Sequence, residues 1–261
     1  MKTLFVAWQD PNSRSWFPIG RLTFDGQRYQ FLYIKGAIEA QQCGFPGVWS
    51  LRDFYQVYES TELPPLFANR VMRRSRPDYP DFIRDLNLNI DDPNPQANRQ
   101  VSEAIAILSR TGGQRVHDHF EVFPLPEPDN GIYRIHFFVR GIRYLSPQHQ
   151  ERIAQLHPSD KLRIVHDVQN PYDPQALLLL TEDFFPVGYC PRYLLHDTFD
   201  LLRQEPQQVE IVVERVNPPP TATQLRLLCH LTAPWHSDFR PFASEMYQPL
   251  AVGEGRNLRT G

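Results

Sequence analysis

Prolines limit how long any regular element of this chain can run: 25 of them are spread along 261 residues. Proline has no amide hydrogen to donate, and its ring clashes with the preceding helical turn. Helix interiors and central strands therefore exclude it. The apolar runs between the prolines are short and rich in Val, Ile, Phe and Tyr, which pack well on a pleated surface. A β-rich α+β protein is the expectation, at a length that suits one large domain or two small ones.

The chain is 41% hydrophobic and 22% charged, which supplies a core and excludes wholesale disorder. No apolar run approaches the ~18–20 residues that a spanning helix needs, so no membrane partner is expected. The N-terminus, Met1 to Asp10, turns polar too early for a signal peptide and reads as a first strand. Cys43, Cys190 and Cys229 lack the spacing of a disulfide framework or a zinc site, and a reducing cytoplasm is the simplest location. His117 and His119 alternate, but no third ligand lies near them in sequence, so neither metal nor cofactor is expected.

The net charge of −3 does not itself point to a polyanion. Apart from the histidines, all basic residues except Lys2, Lys35 and Lys161 are arginine, which suits phosphate and flat rings, although base composition of the genome is the better explanation of the bias as a whole. The segment Phe67 to Tyr79 holds Arg70, Arg73, Arg74 and Arg76 with no acid before Asp78. It reads either as a phosphate-binding surface or as a solvated loop whose arginines pair with local carboxylates.

Leu4–Trp8, Trp16–Phe24 and Tyr29–Ile34 read as three antiparallel strands, with Asp25-Gly26 as a tight turn. A short helix is expected at Ala37–Gln42. Another is expected at Gln100–Arg110, where Val101, Ala104, Ile105 and Leu108 share one face before Gly112-Gly113. Asp91 to Pro95 breaks the chain. The proline-rich, acidic run Pro124–Asn130 is the expected domain boundary. Beyond it, strands are expected at Tyr133–Ile142, Lys161–His166, Ala176–Leu180, Pro186–Cys190, Val209–Val216 and Gln224–Leu231. Helices are expected within Ser146–Leu156 and at Tyr193–Arg203. Leu225, Leu227, Cys229 and Leu231 share a face, which buries Cys229. Domains are thus expected at 1–128 and 131–233, with a C-terminal tail at 234–261 whose last ten residues fray.

Catalytic constellations are missing. There is no Gly-Lys-Ser/Thr phosphate loop, and no Gly-x-Ser-x-Gly elbow. His166-Asp167-Val168-Gln169-Asn170 has too short an Asp-to-Asn spacing for a kinase catalytic loop. Asp91-Asp92 has no neighbouring base. The expectation is that the chain is not an enzyme.

An ordered set of motifs stands out in the second half: Val139-Arg140-Gly141-Ile142-Arg143-Tyr144, then Asn170-Pro171-Tyr172-Asp173-Pro174-Gln175-Ala176, then Val187-Gly188-Tyr189-Cys190-Pro191-Arg192. The set resembles the HIRAN domain over roughly Gly131 to Ala233. That resemblance implies an OB-like β-barrel with a helix after the N-terminal antiparallel sheet with its own helix. It also implies a partner, single-stranded DNA or a DNA 3′ end, held by an aromatic platform, polar groups on the terminal sugar and basic groups on phosphate, in a repair or replication-stress role. Carried over by position, the nucleic-acid-binding residues are Arg143, Tyr144, Asn170, Tyr172, Asp173, Tyr189 and Arg192. Tyr144 and Tyr172 would stack on bases, Arg143 and Arg192 would hold phosphate, and Asp173 would accept a sugar hydroxyl. The Asn-Pro-Tyr-Asp run is equally a good turn, with Asp173 bonding nearby amides. Leu145 stands where the family usually has a second tyrosine, and Tyr189 where its DNA-binding example has histidine.

In the first half, Phe5–Asp10, Ile19–Leu22, Tyr29–Tyr33 and Leu66–Arg70 are similar to the N-terminal β-subdomain of HipA-type kinases, a non-catalytic accessory. This resemblance implies a prokaryotic origin. It also offers an alternative reading: a protein-interaction module of toxin–antitoxin type that binds a kinase or antitoxin and no DNA. A separate ATPase is a further candidate partner.

Overall fold

The computed structural model describes residues 1–88, 99–115, 118–251 and 256–257. His117, the Asp91–Pro95 break and, apart from Arg256–Asn257, the last ten residues expected to fray lie outside them. The chain forms two compact units. The first comprises Met1–Ile83, Leu88–Leu125 and Phe242–Gly261; the second comprises Arg84–Asn87 and Pro126–Pro241. The main crossing falls at Leu125/Pro126, inside the proline-rich run. The expected contiguous division is corrected in three places: residues 84–87 and 126–128 join the second unit, residues 234–241 of the supposed tail also belong to it, and the described residues from Phe242 belong to the first. No helix among the described residues is long and apolar enough to cross a membrane.

The first unit is built on β1 (Lys2–Gln9), β2 (Trp16–Phe24), β3 (Tyr29–Tyr33), β4 (Tyr58–Ser60) and β5 (Phe120–Pro124). With the short strand Arg256–Asn257 the sheet order is Arg256–Asn257, β4, β3, β2, β1, β5. Asp25 makes the β2–β3 turn by accepting from the amides of Gln27 and Arg28, both at 2.8 Å. Helices α1 (Gly36–Gln42), α2 (Pro65–Ala68), α3 (Tyr79–Asp85) and α4 (Arg99–Thr111) complete the framework. Ile105 and Leu108 of α4 bury with Val6, Ile19, Leu22, Phe31 and Phe67. Each such side chain contributes about 1.5–3 kcal/mol when removed from water. The Tyr33 hydroxyl is buried but fully used, donating to Leu51 O at 2.6 Å and accepting from Val48 N at 2.8 Å.

The strands β4 and β5 of this unit were not expected, nor were the helices α2 and α3. β5 pairs with β1 through Phe5–Phe123 and Val6–Val122, and β4 extends the other edge. Residues of the supposed tail are held because the rings of Phe242 and Tyr247 lie 5.5 and 5.0 Å from that of Phe5. In the arginine-rich segment the carboxylate reading applies to three of the four. Arg70 bonds Asp118 with a nearly buried side chain, Arg74 bonds Glu103, and Arg76 bonds Asp78.

The second unit contains β6 (Ile132–Phe138), α5 (Pro147–Ala154), β7 (Lys161–His166), β8 (Leu177–Leu180), β9 (Pro186–Tyr189), α6 (Leu195–Gln204), β10 (Glu210–Val216) and β11 (Leu227–Pro234). The strand order is β6-β11-β10-β7-β8-β9. The two ends of this series meet. Arg140, just past β6, exchanges both backbone hydrogen bonds with Tyr189 of β9, at 2.9 and 2.8 Å. The sheet is thereby curled into a small barrel without an open edge at that point. Tyr133, Ile135 and Phe137 alternate inward, joined by Leu162, Leu177, Leu179, Val187, Ile211, Val213, Leu227, Cys229 and Leu231. Cys229 is fully buried and Cys190 nearly so, and burial pushes the Cys190 thiol up to about 12. α6 is shorter than expected, because residues after Pro191 first form a 3-10 turn at Arg192–Leu194.

Asn217 ties this unit's crossing segment to the barrel. Its fully buried amide donates to Asp85 O at 2.8 Å and Leu225 O at 2.7 Å, and its oxygen accepts from Arg215 Nε at 2.9 Å. Alanine at 217 removes the donors from two carbonyls at once. It should lower the unfolding free energy by about 2–3 kcal/mol, read as an earlier urea midpoint. An unchanged midpoint would show that water replaces the amide.

Candidate functional site

Two loops border the barrel closure and carry five of the seven nucleic-acid-binding candidates read from the sequence; Tyr189 lies in β9 and Arg192 in the 3-10 turn that follows it. The first follows Arg140. Gly141 takes a left-handed conformation (φ 80°), which L side chains rarely adopt, and starts the 3-10 turn Ile142–Tyr144. This turn buries Ile142 and leaves Arg143 and Tyr144 outside. Tyr144 is 73% exposed. The Arg143 guanidinium lies 4.6 Å from its ring centroid and bonds its hydroxyl, a cation–π pair that holds both side chains ready.

The second loop runs from Asp167 to Gln175 between β7 and β8. Asn170 organises it. Its side-chain oxygen accepts from the amides of Tyr172 and Asp173 at 3.0 and 3.1 Å, while its amide donates to Asp167 at 3.1 Å. That network explains the Asp-to-Asn spacing: it builds a turn rather than a catalytic loop. Asp173 accepts from Gln175 N at 3.0 Å and pairs with Arg192 Nε at 3.1 Å. Arg192 also donates to Tyr172 O at 3.1 Å. With its backbone fixed from both sides, the Tyr172 side chain stands 81% exposed.

Tyr189 links the loops. Its backbone closes the barrel, its ring lies close to Gly141, and its hydroxyl donates to Asp167 at 2.9 Å. Burial, then the neighbouring Asp167 carboxylate, pushes its hydroxyl pKa up. The seven candidates therefore divide in two. Tyr144, Tyr172 and Arg143 face solvent. Asn170, Asp173, Tyr189 and Arg192 hold the loops that present them. Asp167 was not among the candidates, although it bonds both Asn170 and Tyr189. Its only sequence signal was the tight spacing to Asn170. Chemically, the exposed set offers two aromatic faces and a guanidinium, which can stack on flat rings and pair with phosphate.

The second unit is thus a small β-barrel closed at Arg140–Tyr189, with aromatic side chains on the loops that border the closure. The HIRAN domain family model matches residues 132–236. Two solved structures resemble the chain. One is a protein from Lactobacillus plantarum, with 20% identity over 41% of this chain and 100% of that one, at a TM-score of 0.31. The other is the HIRAN domain of human HLTF, with 20% identity over 41% of this chain and 78% of that one, at a TM-score of 0.30. No curated protein matches the chain.

Proposed function

We propose that the C-terminal unit is a nucleic-acid-binding module that takes single-stranded DNA at its 3′ end, and that the chain acts in repair or replication stress without catalysing a reaction itself. The observation that carries this reading is the exposure of Tyr144 and Tyr172. Single exposed rings are common on a surface, and Trp49 and Tyr55 are exposed as well; what marks Tyr144 and Tyr172 is that both stand on loops bordering the barrel closure. Here both sit on loops fixed by hydrogen bonds, so little order is lost on stacking. Arg143 beside Tyr144 supplies the phosphate contact.

The choice of a 3′-hydroxyl end rests on charge. Asp167 and Asp173 flank the loop that carries Tyr172. A terminal phosphate would bring added negative charge towards these carboxylates, whereas a hydroxyl donates to such groups. Fluorescence anisotropy with short 5′-labelled single strands tests this directly. A 3′-hydroxyl strand should bind about 10-fold tighter than its 3′-phosphate counterpart, a difference near 1.4 kcal/mol. Equal affinities would remove the end-recognition claim. No binding to either strand at low salt would remove the DNA claim and favour a protein-binding module.

A further inference from the structure

Three side chains far apart in sequence meet on the outer face of the second unit's sheet. His136 of β6 and His230 of β11 are direct cross-strand partners. Their neighbours Ile135, Phe137, Cys229 and Leu231 point into the core, so both imidazoles point outward. Glu214 of β10 has no partner in the β10–β11 register, because the register shifts between Val213 and Arg215. This bulge aims Glu214 at the histidine pair. His136 Nδ1 lies 2.5 Å and His230 Nδ1 3.6 Å from the same carboxylate oxygen. All three ligand atoms fall within 4.8 Å of one another. The other carboxylate oxygen accepts from Asn87 Nδ2 at 2.6 Å.

We propose that His136, Glu214 and His230 form a binding site for a divalent transition-metal ion of the zinc class, with a remaining coordination position open to solvent. Two imidazole nitrogens and one carboxylate oxygen are a donor set that such ions take. Ligands of a tetrahedral ion with bonds of about 2.0–2.1 Å stand roughly 3.3 Å apart. The His136–Glu214 separation must open by under about 1 Å and the His230–Glu214 separation close slightly, both within side-chain rotation. The ligand backbones are fixed by three neighbouring strands of one sheet. Asn87 orients the carboxylate as an outer-shell partner would. His230 Nδ1 is shielded from solvent and has no hydrogen-bond partner, which leaves a lone pair or proton unused until something fills the site. A proton competes with the metal at each imidazole Nδ1, so binding weakens as pH falls.

Zn2+ titration of the EDTA-treated full chain by calorimetry tests the site, with Co2+ absorption as the reporter of geometry. One Zn2+ per chain is expected, and Co2+ should give the intense visible bands of low coordination. Replacing His230 by Ala or Glu214 by Gln should weaken Zn2+ binding more than 10-fold, roughly the effect expected for losing even an outer-shell partner such as Asn87. His196→Ala, an exposed histidine on α6, should leave it unchanged. Circular dichroism of the metal-free variants separates lost ligation from lost folding, and His230→Gln replaces any variant that does not fold. Stoichiometric binding that survives His230→Ala, or a weak six-coordinate Co2+ spectrum from the unmutated chain, overturns the proposal.

Discussion

Gly188→Ala is expected to destabilise the C-terminal unit by about 3–5 kcal/mol, a large part of the ~5–15 kcal/mol that holds a typical domain together. Gly188 has φ 127°, a region that side chains other than glycine rarely enter. A Cβ placed there would lie 2.4 Å from Arg140 O and 2.6 Å from Val139 Cγ1. The first of these atoms is backbone and cannot swing aside. Relief requires β9 to move away from Arg140, which breaks the pair of hydrogen bonds that closes the barrel. Backbone strain of about 1–3 kcal/mol and two lost bonds at about 1 kcal/mol each give the total. Gly131→Ala is the control. Gly131 also has positive φ (76°), but nothing lies within 4 Å of its added Cβ, so only the left-handed strain of about 1–2 kcal/mol remains. Urea unfolding of both variants reads the difference. Equal midpoints would mean that closure contributes little.

This closure also explains what could and could not be read from the sequence. Local signals were legible because their causes are local. Asp25-Gly26 makes a turn with its own neighbours, Tyr133–Phe137 alternates with the period of a strand, and Ile105 and Leu108 share one helix face. β5 was not legible, because Phe120–Pro124 becomes a strand only through pairing with β1 at the other end of the unit. The supposed tail was lost for the same reason: Phe242 and Tyr247 look isolated until Phe5 is placed beside them. The metal-ligand grouping needs strand register and a bulge at the same time, and neither is written in the spacing of His136, Glu214 and His230.

The candidate site was legible in its parts and not in its division of labour. The glycines and tyrosine of the motif set sit where the barrel closes, so those positions carry fold constraints whatever they bind. Asp173 and Arg192 were read as separate ligands for sugar and phosphate. In the folded chain they pair with each other, and Arg192 also fixes the Tyr172 backbone. A polar residue beside a proline-rich turn gives no hint of which arginine will reach it from the turn after β9.

Loss of both exposed rings is expected to have the largest effect on binding. Stacking contributes about 1–3 kcal/mol per base, so Tyr144→Ala and Tyr172→Ala should each weaken single-stranded DNA binding by about 10-fold or more. Neither ring is in the core, so the unfolding free energy from urea titration should stay within about 0.5 kcal/mol of the unmutated chain. The double variant should lose about 100-fold if the rings hold separate bases, and less if they clamp one base between them. Arg143→Ala should act differently. It removes a phosphate contact, so it should reduce the salt dependence of binding by about one counterion as well as the affinity. It also releases the Tyr144 ring from its cation–π partner, which adds to the loss at every salt concentration. Anisotropy titrations at several salt concentrations separate these contributions, because stacking shifts the line and phosphate pairing changes its slope. A double tyrosine variant that binds as well as the unmutated chain would place the nucleic-acid surface elsewhere, or nowhere, on this unit.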